Sequence, residues 1–254
     1  MSEDFKNVVL AIDIGSSRTH LATVDLTTLS CLKKNTLDNG NIETRLSSVL
    51  QDHKTSFSVH KVNISSCVRA FASLTAEICR ESGIKNITEI RAKDDLPVSF
   101  FYDKVETLGS DRVADCIACS RLFGKKNCII IDSGTAITID YLYKGTQFEG
   151  GAILAGIGLQ LKALHLNTDV LPHLDTNEKF TPVLPGRSTV EGIGSGVLYA
   201  TAGAISRCVQ VYKEKYGPDV VTVATGGGWP VTKDLIDFEY RHIPDLTLIG
   251  TACF

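Results

Sequence analysis

The chain lacks the features typical of membrane, secreted and nucleic-acid-binding proteins. No stretch of its 254 residues approaches the roughly 20 consecutive apolar residues of a membrane-spanning helix. The first residues are acidic and the first apolar run is only as long as a strand, so we expect no secretory signal peptide. The formal net charge of −3 and the pI ≈ 6.1 give no electrostatic reason to expect nucleic acid or an anionic membrane as a partner.

The sequence also lacks the dense cysteine framework of a small secreted domain. Its eight cysteines are scattered along a much longer chain, so we predict a cytoplasmic protein with reduced thiols. Cys116 and Cys119 have the spacing of a metal or redox motif. They fall within a predicted helix, however, without a second pair or a nearby histidine. We therefore interpret them as small side chains that face the core.

What the chain does contain is the composition and periodicity of an α/β protein. Hydrophobic residues make up 43% and charged residues 22%, enough for a substantial core, and no low-complexity linker interrupts the chain. The length fits one large domain or two of ordinary size. Apolar patterns predict strands at 7–14, 17–25, 29–34, 59–65, 87–91, 98–102, 128–132, 135–143 and 219–224. They predict helices at 41–51, 67–82, 110–123, 159–166, 189–215 and 245–253, with Ser110 as the N-cap of the third.

A short pattern occurs twice, nearly half the chain apart. Residues 12–16 (Ile-Asp-Ile-Gly-Ser) and residues 131–135 (Ile-Asp-Ser-Gly-Thr) each place an acid and a glycine turn after a buried strand. A threonine follows each copy, Thr19 in the first and Thr138 in the second. Two unrelated hairpins with common turn residues would give the same pattern. Because the spacing is about half the chain, we predict two duplicated lobes, residues 1–115 and 116–254, with a cleft between them.

The two turns have the chemistry of a phosphate site. A glycine turn lets backbone N–H groups approach a phosphate, and the neighbouring hydroxyl adds a donor. Asp13 and Asp132, at the ends of their strands, would hold a cation or its water; alternatively, they only cap their turns. The arrangement resembles the actin, Hsp70 and sugar-kinase superfamily, in which two such turns grip a triphosphate. The strand and glycines of residues 220–228 resemble its adenosine-binding segment; alternatively, these glycines form a flexible loop.

Further motifs follow one another along nearly the whole chain. They are Asp13-Ile14-Gly15-Ser16-Ser17, Gly109-Ser110-Asp111-Arg112, Asp132-Ser133-Gly134-Thr135-Ala136-Ile137-Thr138, Gly150-Gly151-Ala152-Ile153-Leu154-Ala155-Gly156, Ser188-Thr189 and Thr225-Gly226-Gly227. In this order they resemble the motifs of the type III pantothenate kinases. The resemblance implies an α/β fold of two duplicated actin-like (ribonuclease H-like) lobes. It also implies a transferase that phosphorylates pantothenate with ATP, the first step of coenzyme A synthesis.

The resemblance implies roles for individual residues as well. Asp111 is the implied catalytic base, and Asp132 is the implied ligand of a monovalent cation, potassium or ammonium; Mg²⁺ would arrive with ATP. The implied pantothenate-binding residues are Tyr102, Gly109, Ser110, Asp111, Arg112 and Thr189. The implied ATP-binding residues are Asp13, Ile14, Gly15, Ser16, Ser17, Arg18, Thr19, His20 and Thr135. A homodimer is implied too, and the long apolar helix 189–215 supports it.

Several of these residues also have an ordinary structural interpretation. Asp111 in the first turn of a helix complements the helix dipole. Arg112 in this interpretation pairs with a surface acid. Tyr102 is then an aromatic side chain on an edge strand, and Thr189 belongs to the N-cap region of the long helix.

The chain also departs from the family pattern at four positions. Ser16 stands where the family has Asn, His20 where many members have Lys, Ser133 where an aromatic is frequent, and Ser188 where the family has Asn. With His20 we expect ATP affinity to rise below the ordinary histidine pKa near 6.5. Two other functions therefore stay open: a non-catalytic regulatory protein with the same fold, and another small-molecule kinase or phosphatase of the superfamily.

Overall fold

The computed structural model describes residues 7–92, 95–175 and 181–254, and its chain divides into two units. Unit 1 comprises Met1–Lys126, Lys144–Phe148 and Asp245–Phe254, and unit 2 comprises Asn127–Tyr143 and Glu149–Pro244. The boundary predicted between residues 115 and 116 falls inside a helix, Ser110–Phe123, that belongs entirely to unit 1. The units therefore separate after Lys126, and the end of the chain returns to unit 1.

The elements alternate between strand and helix, as the periodicity predicts. In chain order the strands are β1 (Val8–Ile14), β2 (Arg18–Asp25), β3 (Ser30–Asp38), β4 (Lys61–Ser66), β5 (Asn86–Glu89), β6 (Ser99–Phe100), β7 (Cys128–Ser133), β8 (Ala136–Tyr143), β9 (Gln147–Ala155), β10 (Val221–Thr225) and β11 (Arg241–His242). The helices are α1 (Ile42–Ser56), α2 (Arg69–Glu81), α3 (Ser110–Phe123), α4 (Ile157–Leu166), α5 (Thr189–Tyr216), α6 (Trp229–Thr232) and α7 (Leu246–Ala252). Residues 149–158, interpreted from the sequence only as a glycine-rich stretch, mostly form β9.

Unit 1 is built on a sheet with the order β3-β2-β1-β4-β5. The first three strands pair antiparallel, and β4 and β5 continue the sheet in parallel with β1. Alternate residues of β1 face opposite sides: Leu10 packs in a core with side chains of α1 and α2, and Val9 packs in another with Leu248 of α7. Helices thus cover β1 on both faces, which explains its unbroken apolar run.

Unit 2 repeats this topology. Its strands have the order β11-β10-β7-β8-β9, with β7 and β8 antiparallel and β10 and β11 parallel to β7. Residues 147–148, the first two of β9, belong to unit 1 and pair there with β6. The core on one face joins Ile129 and Ile131 of β7 to Ile205 and Val209 of α5. In both units an antiparallel hairpin with a glycine turn lies beside a parallel strand. The duplication predicted from the repeated motif is confirmed.

The start of α3 differs in detail from its prediction. Gly109, with extended backbone, is the N-cap, and Ser110 is the first helical residue. The Ser110 hydroxyl contacts the end of β4 rather than capping its own helix. Within the described residues, no helix has both the length and the apolar content needed to cross a membrane.

Candidate active site

The β1–β2 turn of unit 1 presents the first predicted phosphate loop. Ile14 pairs with Thr19 across the hairpin, so residues 15–18 form the turn, and the Gly15 N–H donates to the Arg18 carbonyl at 2.9 Å. Ser16, Ser17 and Arg18 are exposed at its tip. The turn therefore exposes two hydroxyls and a guanidinium, which are donors that suit an anion.

Asn39, which the sequence analysis missed, stabilises this turn through hydrogen bonds. The side-chain amide of Asn39, directly after β3, donates to the Gly15 carbonyl at 2.9 Å, and its Oδ1 accepts the Thr19 hydroxyl at 2.8 Å. The Asn39 backbone N–H also donates to the Ser17 carbonyl at 3.0 Å. Asn39 lies far from the turn in sequence, and only the pairing of β2 with β3 brings it there.

The Gly-Ser-Asp-Arg motif is anchored to the same end of the sheet. The buried Ser110 hydroxyl accepts the backbone N–H of Ser66 at 2.7 Å and the hydroxyl of Ser65 at 3.1 Å. These bonds join the start of α3 to the carboxyl end of β4. A Cβ atom on Gly109 would overlap the Asp111 carboxylate, so only glycine leaves room for that side chain. The motif thus fixes the position of Asp111.

Both oxygens of the half-buried Asp111 carboxylate accept hydrogen bonds. Oδ1 accepts the backbone N–H of Arg112 at 2.8 Å, and Oδ2 accepts the thiol of Cys67 at 3.3 Å. Cys67 was not among the predicted site residues. Partial burial, and then the negative charge of Asp111, raise the pKa of this thiol, which keeps it protonated as a donor.

Asp13, the acid of the first turn, lies close to Asp111. Burial, and then the charge of Asp111, raise the pKa of Asp13 to about 7, while a hydrogen bond from Ser65 works in the opposite direction. The charge of Asp111 disfavours ionisation of the buried Asp13, so the two acids form a negatively charged site. Such a site favours the approach of a cation.

Arg112 sits among aromatic rings within unit 1. It is buried, and its guanidinium carbon lies 5.9 Å from the ring centre of Tyr102 and 5.3 Å from that of Phe148. β6 brings Tyr102 near, because Phe100 pairs with Phe148 in parallel. The structure therefore brings together two predicted substrate residues, Tyr102 and Arg112. Phe148 was missed because nothing in the sequence links residue 148 to the Gly-Ser-Asp-Arg motif.

His20 faces Asp13 across the hairpin, since the two residues are register partners. Its Nδ1 is 3.0 Å from the Thr36 hydroxyl. Burial, and then the charge of Arg18, lower the pKa of His20 below 6.5, against a smaller effect of Asp245. The expectation that His20 becomes a phosphate-binding cation near pH 6.5 is therefore corrected: the ring stays neutral to a lower pH.

In unit 2, three separate motifs meet at the β7–β8 turn. The Gly134 N–H donates to the Ala136 carbonyl at 3.0 Å, and Gly156, after β9, donates to the Thr135 carbonyl at 3.0 Å. Gly228, after β10, donates to the Ser133 carbonyl at 2.7 Å. Gly226 has φ +87°, and a Cβ atom there would overlap the Asp132 carboxylate and the Ser133 backbone. Glycine is thus required where β10 ends beside Asp132.

The remaining predicted residues of unit 2 lie on exposed ends of elements. Thr135 is exposed in the turn itself, and Thr189 is the exposed first residue of α5. Ser188 is the N-cap of α5 and accepts the Glu191 N–H at 3.2 Å, while the Glu191 carboxylate accepts the Arg187 N–H at 2.7 Å. Thr189 is therefore held at a well-capped helix start.

The described residues contain no cluster of metal-ligating side chains and no disulfide. Among residues 7–92, 95–175 and 181–254, no group of three or more His, Cys, Asp or Glu side chains is placed to hold a metal ion. All eight cysteines lie in these ranges and none forms a disulfide, and Cys116 and Cys119 are buried. The interpretation of these two as core thiols is confirmed.

A family model for type III pantothenate kinase matches residues 9–211, which include both glycine turns and the Gly-Ser-Asp-Arg motif. The chain belongs to this family. It is 35% identical to a type III pantothenate kinase of Paramagnetospirillum magneticum over 156 residues, 61% of this chain and 59% of that protein. It is 32% identical to one from Legionella pneumophila over 187 residues, 73% of this chain and 68% of that protein. The matched part thus spans only about three fifths to two thirds of these relatives.

Solved structures confirm the fold expected of a type III pantothenate kinase. A Campylobacter jejuni protein described as a Baf family transcriptional activator superposes with a TM-score of 0.58 at 20% identity, covering 95% of this chain and 94% of that one. A ROK family glucokinase of Streptomyces griseus, in complex with glucose and AMPPNP, superposes with a TM-score of 0.52 at 12% identity, covering 97% and 98%. At these identities the likeness shows the actin-like fold alone.

Proposed function

We propose that this protein transfers the γ-phosphoryl group of ATP to pantothenate, giving 4′-phosphopantothenate in the first step of coenzyme A synthesis. Membership of the type III pantothenate kinase family supports the reaction. The observation that carries the proposal is the fixed position of Asp111 beside Asp13. It depends on the anchor from Ser110 to β4 and on the absence of a side chain at Gly109.

Asp111 acts as the general base. The Arg112 N–H and the Cys67 thiol orient its carboxylate, which then accepts the proton of the pantothenate hydroxyl as that oxygen attacks the phosphorus atom. Such a base typically contributes about 10²–10⁴-fold to the rate.

Asp13 and the β1–β2 turn receive the phosphates. The turn residues, Asp13 to His20, supply backbone and side-chain groups, and Thr135 supplies a hydroxyl. The neighbouring carboxylates Asp13 and Asp111 fit a divalent cation, since burial and then the charge of Asp111 raise the pKa of Asp13 to about 7. Mg²⁺ bound to the nucleotide would screen the charge of the triphosphate when present.

The carboxylate of pantothenate is recognised by cationic and polar groups. Arg112 offers a planar guanidinium that suits a carboxylate, and the rings of Tyr102 and Phe148 hold it in place. Gly109, Ser110 and Thr189 complete the substrate set. In this proposal Asp132 holds a potassium or ammonium ion, for which carboxylate and carbonyl oxygens are suitable ligands.

The protein acts as a cytoplasmic homodimer. Large apolar side chains are exposed on unit 2, among them Ile153 (60%), Leu184 (63%) and Tyr199 (41%). Where such groups are contiguous they form an interaction surface, and light scattering at micromolar concentration should give the mass of a dimer.

A coupled assay of ADP release tests the function. In potassium buffer with MgATP, we expect turnover that depends on pantothenate. ADP release that is the same with and without pantothenate would favour another kinase or phosphatase of the superfamily. A protein that neither binds nor turns over MgATP would favour the regulatory alternative.

A further inference from the structure

Asn39 is a buried polar residue that lies outside every motif identified in the sequence. Only 7% of it is exposed, and it opens the short 3-10 helix Asn39–Asn41 after β3. Its backbone N–H and both polar atoms of its side chain are directed to the β1–β2 turn, at Gly15, Ser17 and Thr19. A buried amide with this many bonds to a single turn acts as a structural clamp.

We propose that Asn39 is the positioning residue of the ATP phosphate turn. It holds residues 15–19 in one conformation, so that the turn binds the triphosphate without first having to be ordered. The inference rests on the proposed function, since it assigns Asn39 to the same nucleotide site.

Apart from the bonds of Asn39 and the pairing of β2 with β3, the described contacts of residues 15–18 are a backbone bond within the turn and an exposed ion pair. The Gly15 N–H bonds to the Arg18 carbonyl within the turn itself. The ion pair of Arg18 with Asp38 spans 3.7 Å, and about two thirds of each side chain is exposed. Exposed pairs of this kind contribute little. Without Asn39 the exposed tip of the turn would sample other conformations. The free-energy cost of ordering it when ATP binds would then weaken the affinity.

Asn63 provides a matched control in the same unit. It is also a buried asparagine, and its amide donates to the carbonyl groups of Thr251, Ala252 and Phe254, between 2.9 and 3.2 Å. It fastens the end of the chain rather than the turn. Replacing either residue with alanine removes a buried amide that bonds to backbone, but only Asn39→Ala releases the turn.

The test compares Asn39→Ala, Asn63→Ala and Thr19→Val with the wild type. MgATP affinity is measured by calorimetry, KM for each substrate by the coupled assay, and stability by thermal unfolding. For Asn39→Ala we expect about a tenfold weaker affinity and a higher KM for MgATP, equivalent to about 1.4 kcal/mol. KM for pantothenate should stay within twofold. Thr19→Val, which leaves the amide without its hydroxyl donor, should show about a threefold effect in the same direction.

Asn63→Ala should lower the unfolding temperature and leave MgATP affinity within twofold. Equal losses of affinity in the Asn39 and Asn63 variants would mean a general structural role and would overturn the inference. So would unchanged MgATP affinity in a folded Asn39→Ala protein, while the proposed function would stand. If Asn39→Ala does not fold, Thr19→Val decides. A wild type that binds no MgATP would overturn the proposed function and this inference together.

Discussion

The two glycine turns share a sequence pattern but are built differently. In unit 1, four residues separate Ile14 from its partner Thr19, and a side chain, Asn39, holds the turn. In unit 2, three residues separate Ser133 from Ile137, and backbone N–H groups of Gly156 and Gly228 hold the turn. Duplicated strands thus support one turn that is held by a side chain and one that depends on glycine.

The turn of unit 1 is one residue longer than that of unit 2, so residues at the same place in the two motifs have different cross-strand partners. Asp13 faces His20, whereas Asp132 faces Thr138, so Thr19 and Thr138 are not equivalent although both end the repeated motif. Thr19 instead points to Asn39. We propose that Asp111 of unit 1 transfers the proton and that Asp132 of unit 2 binds the monovalent cation.

Replacing the two key carboxylates should have unequal effects. Asp111→Asn keeps the size of the side chain but removes the base, so we expect kcat to fall by about 10²–10⁴-fold with folding and MgATP binding retained. Asp132→Asn should instead remove the rate difference between potassium and sodium buffers. Steady-state kinetics in both buffers gives both results. More than a tenth of wild-type activity in Asp111→Asn would contradict the assignment of the base.

Replacing a turn glycine with alanine should lower the free energy of unfolding more in unit 2 than in unit 1. In Gly226→Ala the new Cβ would overlap Asp132 and Ser133, and the backbone has positive φ, so we expect a loss of about 2–4 kcal/mol. In Gly15→Ala the Cβ would lie 3.2 Å from the Arg18 carbonyl oxygen, so the loss should be about 1 kcal/mol.

Gly227→Ala is the control, because no atom lies within 4 Å of its Cβ position. Its stability in urea unfolding should match the wild type within about 0.5 kcal/mol. Equal losses at positions 226 and 227 would show that the turn of unit 2 does not depend on close glycine packing.

The raised pKa of Asp13 predicts that the stability of the protein depends on pH. Burial and Asp111 raise the pKa of Asp13 to about 7 in the folded protein, above the value of 3.8 expected when unfolded. The folded state therefore binds more protons between these values, and this group lowers the stability as pH rises from about 4 to 7. Asp13→Asn should remove the effect and be more stable than the wild type at pH 8 by about 4 kcal/mol.

At pH 4 the Asp13→Asn variant and the wild type should be nearly equal in stability. Chemical unfolding at both pH values measures the difference. A wild type whose stability relative to the variant does not change with pH would show that the pKa of Asp13 is not raised in the folded protein.

The sequence predicted the repeated strands well, because buried strands and long amphipathic helices leave strong local patterns. β1, β7 and α5 were each located to within about two residues. The division into units was not predictable in this way. It depends on α7, which packs on the sheet of unit 1 from the other end of the chain, and such packing leaves no local signal.

The residues of the candidate site that lie in sequence motifs could be predicted. Asp111, Arg112 and Tyr102 were found by their spacing and resemblance. Asn39, Cys67 and Phe148 were missed, because each reaches its contact through strand pairing or packing between distant segments. The pairing register was missed too, since one added turn residue changes every cross-strand partner without changing the motif.

Restoring asparagine at position 16 should have the smallest effect. Ser16 is exposed at the tip of the turn, and Asn39 already supplies an amide to Gly15. Ser16→Asn should add one side-chain donor and lower the KM for MgATP about two- to fivefold, with the KM for pantothenate unchanged. Activity titrations with each substrate measure both values. A higher KM for MgATP would mean that serine is the better residue in this turn.

The most direct test of the proposed reaction is to identify its product. The wild type and Asp111→Asn are incubated with MgATP and pantothenate in potassium buffer, and the mixtures are examined by mass spectrometry and phosphorus NMR. We predict 4′-phosphopantothenate in amounts equal to the ADP formed with the wild type, and at most about a hundredth of that rate with Asp111→Asn. ADP without 4′-phosphopantothenate, or equal product from both proteins, would contradict the account.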